Sequence, residues 1–402
     1  MTTKGMRITG VMLAGLFCLP YGMGFLVEKH YSEWLSHLSA VPMMSQEAIS
    51  YQRGWFQSQA VSKIMLRGNI LQIRHRLFHG PFTVKGFGIT HITSEIIEPS
   101  GKSLPVTLHT QMGWMGKTTL QVSSAPVLLH YEADNAFLKV EGLTGTWTWD
   151  GPHLTGHMIL PLLSWTVNTQ ERLHIDSLSG EYNLRHHASG VWLGEHHLMV
   201  GFLATHHLPS VPDMQLRWLK SDQVISEETA YRMAIQWTGT AESLYWQQAL
   251  YGPLQWDMNV DHLPLKKMDT WAEMIPLLGR TRPVLSINRF KMDMPQGFLQ
   301  GKARLAMSAQ ADNTLDLAKP ETILRALEVS VQIEAPKRLV RGFYPVEEAD
   351  RKLNQLEQLG WVKRIADVYT IDVSFRDNRL MVNGLEKPLP IRAISPQPTA
   401  VP

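Results

Sequence analysis

The sequence predicts a mainly β protein with some α: an N-terminal transmembrane helix, then a long curved antiparallel β-sheet of meander type with a few helices packed on it. Three observations carry this. No charged side chain occurs from Ile8 to Val27, a run of about 20 residues and the span a helix needs to cross a bilayer. Beyond it, short segments of alternating apolar and polar residues succeed one another, punctuated by Gly, Asn, Asp and Pro, the period of strands with one buried face. Within Tyr51 to Phe82 (YQRGWFQSQAVSKIMLRGNILQIRHRLFHGPF) the tethered part turns into folded sheet.

Taken in order, the chain first places Lys4 and Arg7 before the uncharged run. Positive charge ahead of the run and the bulk of the chain behind it predict a cytoplasmic N-terminus. The run exceeds a typical signal-peptide core and no small-x-small site follows it, which favours an uncleaved anchor. Cys18 is the only cysteine and lies in this span behind Phe17. That excludes an intramolecular disulfide and a cysteine zinc site, and Phe17 is too large for a lipidation site. Residues 1–27 are thus read as cytoplasmic tip and signal anchor, and 28–50 as a stalk. In the stalk Tyr31, Trp34, Leu35 and Leu38 recur at helical spacing and Pro42 ends the helix.

From Ile70, Leu71, Ile73 and Leu77 alternate with Gln72, Arg74 and Arg76, and His75 falls on the apolar side. Arg67, Gly68 and Asn69 supply the hairpin turn, and Gly80 with Pro81 breaks the second strand. Further strands are expected at Gly88 to Ile97, Pro105 to Thr110 and Val127 to Tyr131. Gly145 to Trp149 and Leu154 to Leu160 should pair through Asp150, Gly151 and Pro152. VEGLTGTWTW from Val140 and IDSLSGEYNL from Ile175 look alike, which suggests a repeated sheet unit.

Helices are expected at Ala241 to Tyr251, Lys266 to Leu278, Pro320 to Leu327 and, most clearly, Val346 to Leu359. There Val346, Ala349, Leu353, Leu356 and Leu359 make one stripe, with Pro345 before it and Gly360 behind it. The chain closes on a hairpin. Tyr369, Ile371, Val373 and Phe375 alternate with polar residues, Asp377 and Asn378 turn, and Leu380 and Val382 return. The β-rich domain is therefore placed at 51–388, with a loose proline-rich tail at 389–402.

Tyr51, Arg53, Gly54, Phe56 and Ser58, then His79, Gly80 and Pro81, and near the end Asn383 and Gly384, form a layout that resembles the YdgA-like bacterial family, a domain of unknown function (DUF945). The resemblance implies a membrane-anchored protein of the bacterial envelope, with its bulk in the periplasm at the inner membrane. It implies no catalytic, cofactor or metal residues; the motif positions are read as structural, His79 as capping an exposed carbonyl.

Other features are weighed against chemistry. The pairs His186-His187, His196-His197 and His206-His207 lie ten apart. Adjacent strand residues point to opposite faces, so only half could converge on a metal, and surface histidines are the expected reading. Gly116-Lys117-Thr118 ends like a phosphate loop, but Gln111 stands where the pattern needs glycine and a strand follows, so nucleotide binding is not expected. The formal charge of +2 comes without a basic block, which excludes a nucleic-acid partner. Trp147, Trp149, Trp165 and Trp192 could pave an apolar trough or fill a closed core. The function expected is non-catalytic: a sheet surface or groove offered to lipid or to an envelope polypeptide. The alternative is an assembly subunit of an inner-membrane complex, joined by edge-strand pairing.

Overall fold

The computed structural model describes residues 24, 25, 27–29 and 31, and residues 44–388 except 67–68, 80–81, 84–85, 88–89, 98–100, 102, 114–115, 132–134, 209–212, 247–248, 267–276, 295–296, 308–325 and 338–345. The described chain is mainly β, every strand pairing being antiparallel. It divides into two compact units, residues 1–186 with 203–209 and residues 187–202 with 210–402. Among the described residues no helix is long and apolar enough to cross a membrane. The span expected from Ile8 to Val27 lies outside them apart from Gly24, Phe25 and Val27.

The first unit holds β1 (Met44–Gln52), β2 (Gln57–Leu66), β3 (Asn69–His79), β4 (Phe82–Thr83), β5 (Gly86–Phe87), β6 (Thr90–Ile97), β7 (Ser103–Met112), β8 (Thr118–Ser124), β9 (Val127–Tyr131), β10 (Ala136–Glu141), β11 (Thr144–Asp150), β12 (His153–Val167) and β13 (Gln170–His186). Their pairing runs β1, β2, β3, β6, β7, β8, β11, β12, β13. The far half of β12 also takes β10, which takes β9. β2 and β3 form the expected hairpin: Leu66 pairs with Asn69 across Arg67 and Gly68, which lie outside the described residues, as do Gly80 and Pro81 after β3. Folded sheet begins earlier than Tyr51, because β1 takes Met44–Gln52 from the segment expected as stalk.

Pro161 explains why the two segments expected as repeats look alike. It sits inside β12 with no N–H to give, so the ladder on the one side its nitrogen faces lacks a hydrogen bond there, and its ring meets Gly142 on the adjoining edge. On one side β10 stops at Glu141 and β11 resumes at Thr144, with Gly142 at φ +64° and its Cα side 3.6 Å from the Pro161 ring, measured from where a Cβ would stand. On the other side β13 passes opposite Pro161 with Ser177 at φ +56°. Gly142-Leu143 and Ser177-Leu178 thus meet one obstacle from its two edges.

The second unit holds most of β14 (Trp192–Thr205), then β15 (Met214–Thr229), β16 (Arg232–Ala241), β17 (Ser243–Trp246), β18 (Ala249–Tyr251), β19 (Leu254–Pro264), β20 (Val284–Met294), β21 (Gly297–Met307) and β22 (Leu327–Pro336). The C-terminal helix (Val346–Gln358), β23 (Lys363–Ile365), β24 (Val368–Arg376), β25 (Arg379–Val382) and β26 (Leu385–Lys387) follow. The pairing runs β15, β16, β19, β20, β21, β22, β24, β25, β26, with β17 on the near end of β15 and β18 on β17.

The helix expected over Ala241 to Tyr251 is corrected to strand. Residues 243–246 pair with Met214–Arg217 and with 249–251. Tyr245, Trp246 and Leu250 suit a pleated surface, and a short apolar run does not by itself distinguish helix from strand, so pairing decides. The helix at Val346 is borne out: Ala349 and Leu353 are buried, Leu356 and Leu359 exposed, and Gly360 leaves it at φ +72°. Of the other two, only Lys266, at a bend, helical residues 277–278, and residues 326–327 fall among those described, Leu327 opening β22.

Candidate functional site

Tyr51, Arg53, Gly54 and Ser58 converge on one place, the socket that receives the helical residues 24, 25, 27–29 and 31, while the Phe56 side chain is 54% exposed. β3 shows why the socket exists. Ile73, His75, Leu77 and His79 are buried while Gln72, Arg74 and Arg76 are exposed, as the alternation predicts. On this face Val27 and Tyr31 pack with Ala60, Leu77 and Ile92, and Tyr51 lies against them. The Tyr31 and Tyr51 rings are 5.9 Å apart. Arg53 pairs with Glu28, and its guanidinium lies 3.5 Å over the Phe25 ring. Gly24 lets the helix approach closely: a Cβ there would stand 3.3 Å from the His79 ring. Gly54 makes the turn between β1 and β2, where a Cβ would meet the Gln57 carbonyl at 2.2 Å. The His79 N–H donates to the Phe56 carbonyl at 3.0 Å, closing the same turn from β3.

Beneath the helix the face is polar where an ordinary core would be apolar. His75 is 1% exposed, its Nε2 2.8 Å from Ser62 Oγ and its Nδ1 2.7 Å from Ser94 Oγ. The Tyr31 ring meets its edge at 5.3 Å between centroids. His79 Nε2 shares a second hydrogen bond with Ser58 Oγ at 2.8 Å. Burial pushes His75 down to about 4, so at neutral pH it is an uncharged ring that donates to one serine and accepts from the other. Burial likewise pushes the Tyr31 and Tyr51 phenols up. Serine beside histidine is the pairing of nucleophilic catalysis, but Ser58, Ser62, His75 and His79 are all buried, out of reach of a substrate. The arrangement locks ring orientation and fixes the helix on the sheet. His79 is a buried partner of Ser58 here.

Strand partners lie on the same face, so the socket face can be followed across the unit. From Leu77 it passes to Ile92, Thr110, Leu120, Trp147, Gly156 and Tyr182. Leu77, Ile92 and Thr110 are buried; Leu120, Trp147 and Tyr182, away from the helical residues, are half-buried. The Trp147 indole lies flat on the sheet, because a Cβ on Gly156 opposite or on Gly145 beside it would fall within 2.4 or 2.5 Å of the ring. On the reverse face His153, Thr155, His157, Glu181, Asn183 and Arg185 are exposed. Trp149 shares the Trp147 side, as the alternation predicts, opposite Leu154.

The remaining candidates separate. His186 closes β13 and His187 follows it; His196 and His197 adjoin in β14, and His206 and His207 follow that strand. His197 Nδ1 is 2.6 Å from Asp222 and His187 Nδ1 is 2.9 Å from Ser189. Among the described residues no group of three His, Cys, Asp or Glu could hold a metal. Gly116-Lys117-Thr118 turns β7 into β8, with the Gly113 N–H donating to the Lys117 carbonyl at 2.7 Å, so a strand follows it. Asn383 and Gly384, at φ +51° and +83°, turn β25 into β26. Asn383 Oδ1 accepts from the Asp372 N–H at 2.9 Å and its Nδ2 donates to the Gly360 carbonyl at 3.2 Å. Gly24, Phe25, Glu28, Ser62 and Ser94 belong to the socket but escaped the sequence reading. The signal for the serines is the small i, i+2 series Ser58, Ala60, Ser62 opposite the alternation of β3.

Fold and socket together define a class: an antiparallel β protein that seats a helical segment from its N-terminal region on a partly polar sheet face. The chain belongs to the family described as bacterial protein of unknown function (DUF945), whose profile matches residues 4–391. No curated protein and no solved structure matches.

Proposed function

We propose that this protein is a non-catalytic, membrane-anchored binding protein of the bacterial envelope, which offers the apolar face of its first unit to an extended apolar ligand, a lipid acyl chain. The observation that carries the reading is the face from Leu120 through Trp147 and Met158 to Tyr182. It is lined by apolar and aromatic side chains, floored by a flat indole and only half-buried. Contiguous apolar surface of this kind marks a binding site. The uncharged residues 8–23 ahead of the socket support the anchor, while Gly24, Phe25 and Val27, expected as the end of the span, pack against the sheet instead, so the anchor would end where the sheet begins. The full chain, purified in mild detergent, should carry a stoichiometric acyl species by mass spectrometry, lost in Trp147→Asp. A lipid-free preparation of the folded wild type would overturn the reading. A reporter fused after Pro402 should be active outside the cytoplasm, and cytoplasmic activity would overturn the topology.

A further inference from the structure

The second unit contains a cavity of about 510 Å³ on one face of the three-stranded patch β15, β17, β18. Two cross-strand rows make it: Gln215 opposite Tyr245 opposite Leu250, and Arg217 opposite Ser243. Its floor is closed by Gly252, which is at φ +126° and where a Cβ would stand 2.5 Å from the Glu242 carbonyl. Only glycine fits that turn, so the depression is a fixed feature of the backbone.

The lining chooses among ligands. Arg217 and Glu242 bring one charge of each sign, so the lining carries no net charge and favours neither an anion nor a cation. Gln215, Arg217, Glu242 and Ser243 are planar or hydroxylic groups that read neighbouring hydroxyls through paired hydrogen bonds. Tyr245 is 41% exposed and offers its ring face, with Leu250 exposed beside it. A flat apolar face next to hydrogen-bonding edges matches a pyranose ring, whose axial C–H groups form one face and whose equatorial hydroxyls form the rim. An extended peptide is disfavoured, because β17 is paired on both sides and the outer strand β18 is only three residues long, too short an edge to add a strand to. The volume suits a ligand of one or two sugar rings.

We propose that this cavity is a saccharide-binding site, taking a neutral glycan with the ring of one residue stacked on Tyr245 and its hydroxyls held by Gln215, Arg217 and Glu242. The test uses the full chain in detergent with cellotetraose, maltotetraose, fully N-acetylated chitotetraose and the zwitterion glycylglycine as probes, read by saturation-transfer NMR and tryptophan fluorescence. At least one tetrasaccharide should bind saturably at about 1 mM or below. Tyr245→Ala and Arg217→Gln should each weaken it about tenfold or more, while Tyr245→Phe, which keeps the ring, retains binding and controls for folding. The proposal is overturned if no tetrasaccharide binds the folded chain. Binding indifferent to both weakening variants overturns it as well, and so does glycylglycine occupying the cavity in their place.

Discussion

The helical residues 24, 25, 27–29 and 31 in the first unit and the C-terminal helix in the second each press apolar side chains onto antiparallel strands, but over different floors. Val27 and Tyr31 meet Ala60, Leu77 and Ile92 next to the His75, Ser62 and Ser94 network. Leu353 meets Val362, Tyr369 and Ile371, with no histidine anywhere in residues 346–382. An apolar floor stabilises by area alone, whereas a buried hydrogen-bonded floor also dictates orientation and responds to protonation. The first seat therefore has a buried group beneath its helix that responds to protonation, whereas the second has its ionisable groups, such as Glu348 paired with Lys352, on the exposed side.

The largest expected difference lies in the apolar part. Leu77 is completely buried between β2, β6 and the helical residues, where little can move to fill a gap. Leu77→Ala should cost about 4 kcal/mol. Leu353 lies on a helix whose next stripe residues, Leu356 and Leu359, are exposed, so its site can relax. Leu353→Ala should cost about 2 kcal/mol. Chemical denaturation with segment-resolved hydrogen exchange checks both, and equal costs would erase the contrast.

Acid should separate the two seats next. His75 is held down to about 4 when folded, against its ordinary value of 6.5. The unfolded chain therefore binds the extra proton first. The stability this group contributes is complete above pH 6.5 and is lost as pH falls from there through about 4, by up to about 3 kcal/mol. The groups facing the ring are Ser62, Ser94 and Tyr31, none of which titrates in that window to offset it. Amide protection in β3 and at residues 24–31 should fall between pH 6.5 and 4 while that in residues 346–376 changes far less. His75→Gln should flatten the first curve, and a wild-type β3 indifferent to pH would refute the assignment.

How much of this was legible follows the range of the interactions. The β2 and β3 hairpin, the burial of His75, the turn at Asp377 and Asn378 and the helix from Val346 could be read because period and turn chemistry are local. Ala241 to Tyr251 could not, since its partner strand begins at Met214 and only pairing tells its strands from a helix. The socket was half visible. Tyr51, Arg53, Gly54, Ser58 and His79 stood out as a group, but their meeting with Gly24, Phe25 and Glu28 joins segments that no short-range rule connects. Pro161 illustrates the same limit. Two similar stretches suggested a repeat, when what they share is a proline lying between them in space.

A smaller effect tests the rim of the first seat. Arg53 and Glu28 are partly exposed, with side chains 23% and 38% accessible, so the ion pair itself is weak. The guanidinium also covers the Phe25 ring. Arg53→Ala should cost about 1.5 kcal/mol, mostly through lost stacking and packing, and Arg53→Lys should recover only the charge, because an ammonium does not lie flat on a ring. Raising the salt concentration should leave most of the Arg53→Ala deficit in place; a deficit that salt removes would mean the pair was purely coulombic.

The smallest effect concerns how the second seat is tied, since its polar groups stand at the end of its helix and not beneath it. Asn383 holds the Gly360 carbonyl and the Asp372 N–H at once, and can do so only because Asn383 and Gly384 both turn through positive φ. A Cβ on Gly384 would meet nothing within 4 Å, so Gly384→Ala changes backbone preference and no packing. It should cost about 1 kcal/mol. Asn383→Gly keeps the turn and deletes both side-chain hydrogen bonds, which isolates the tie itself. If the tie orders the helix end, Asn383→Gly should loosen protection at residues 356–362 while Gly384→Ala lowers stability without that local signature. Identical exchange patterns in the two variants would reduce Asn383 to a turn residue.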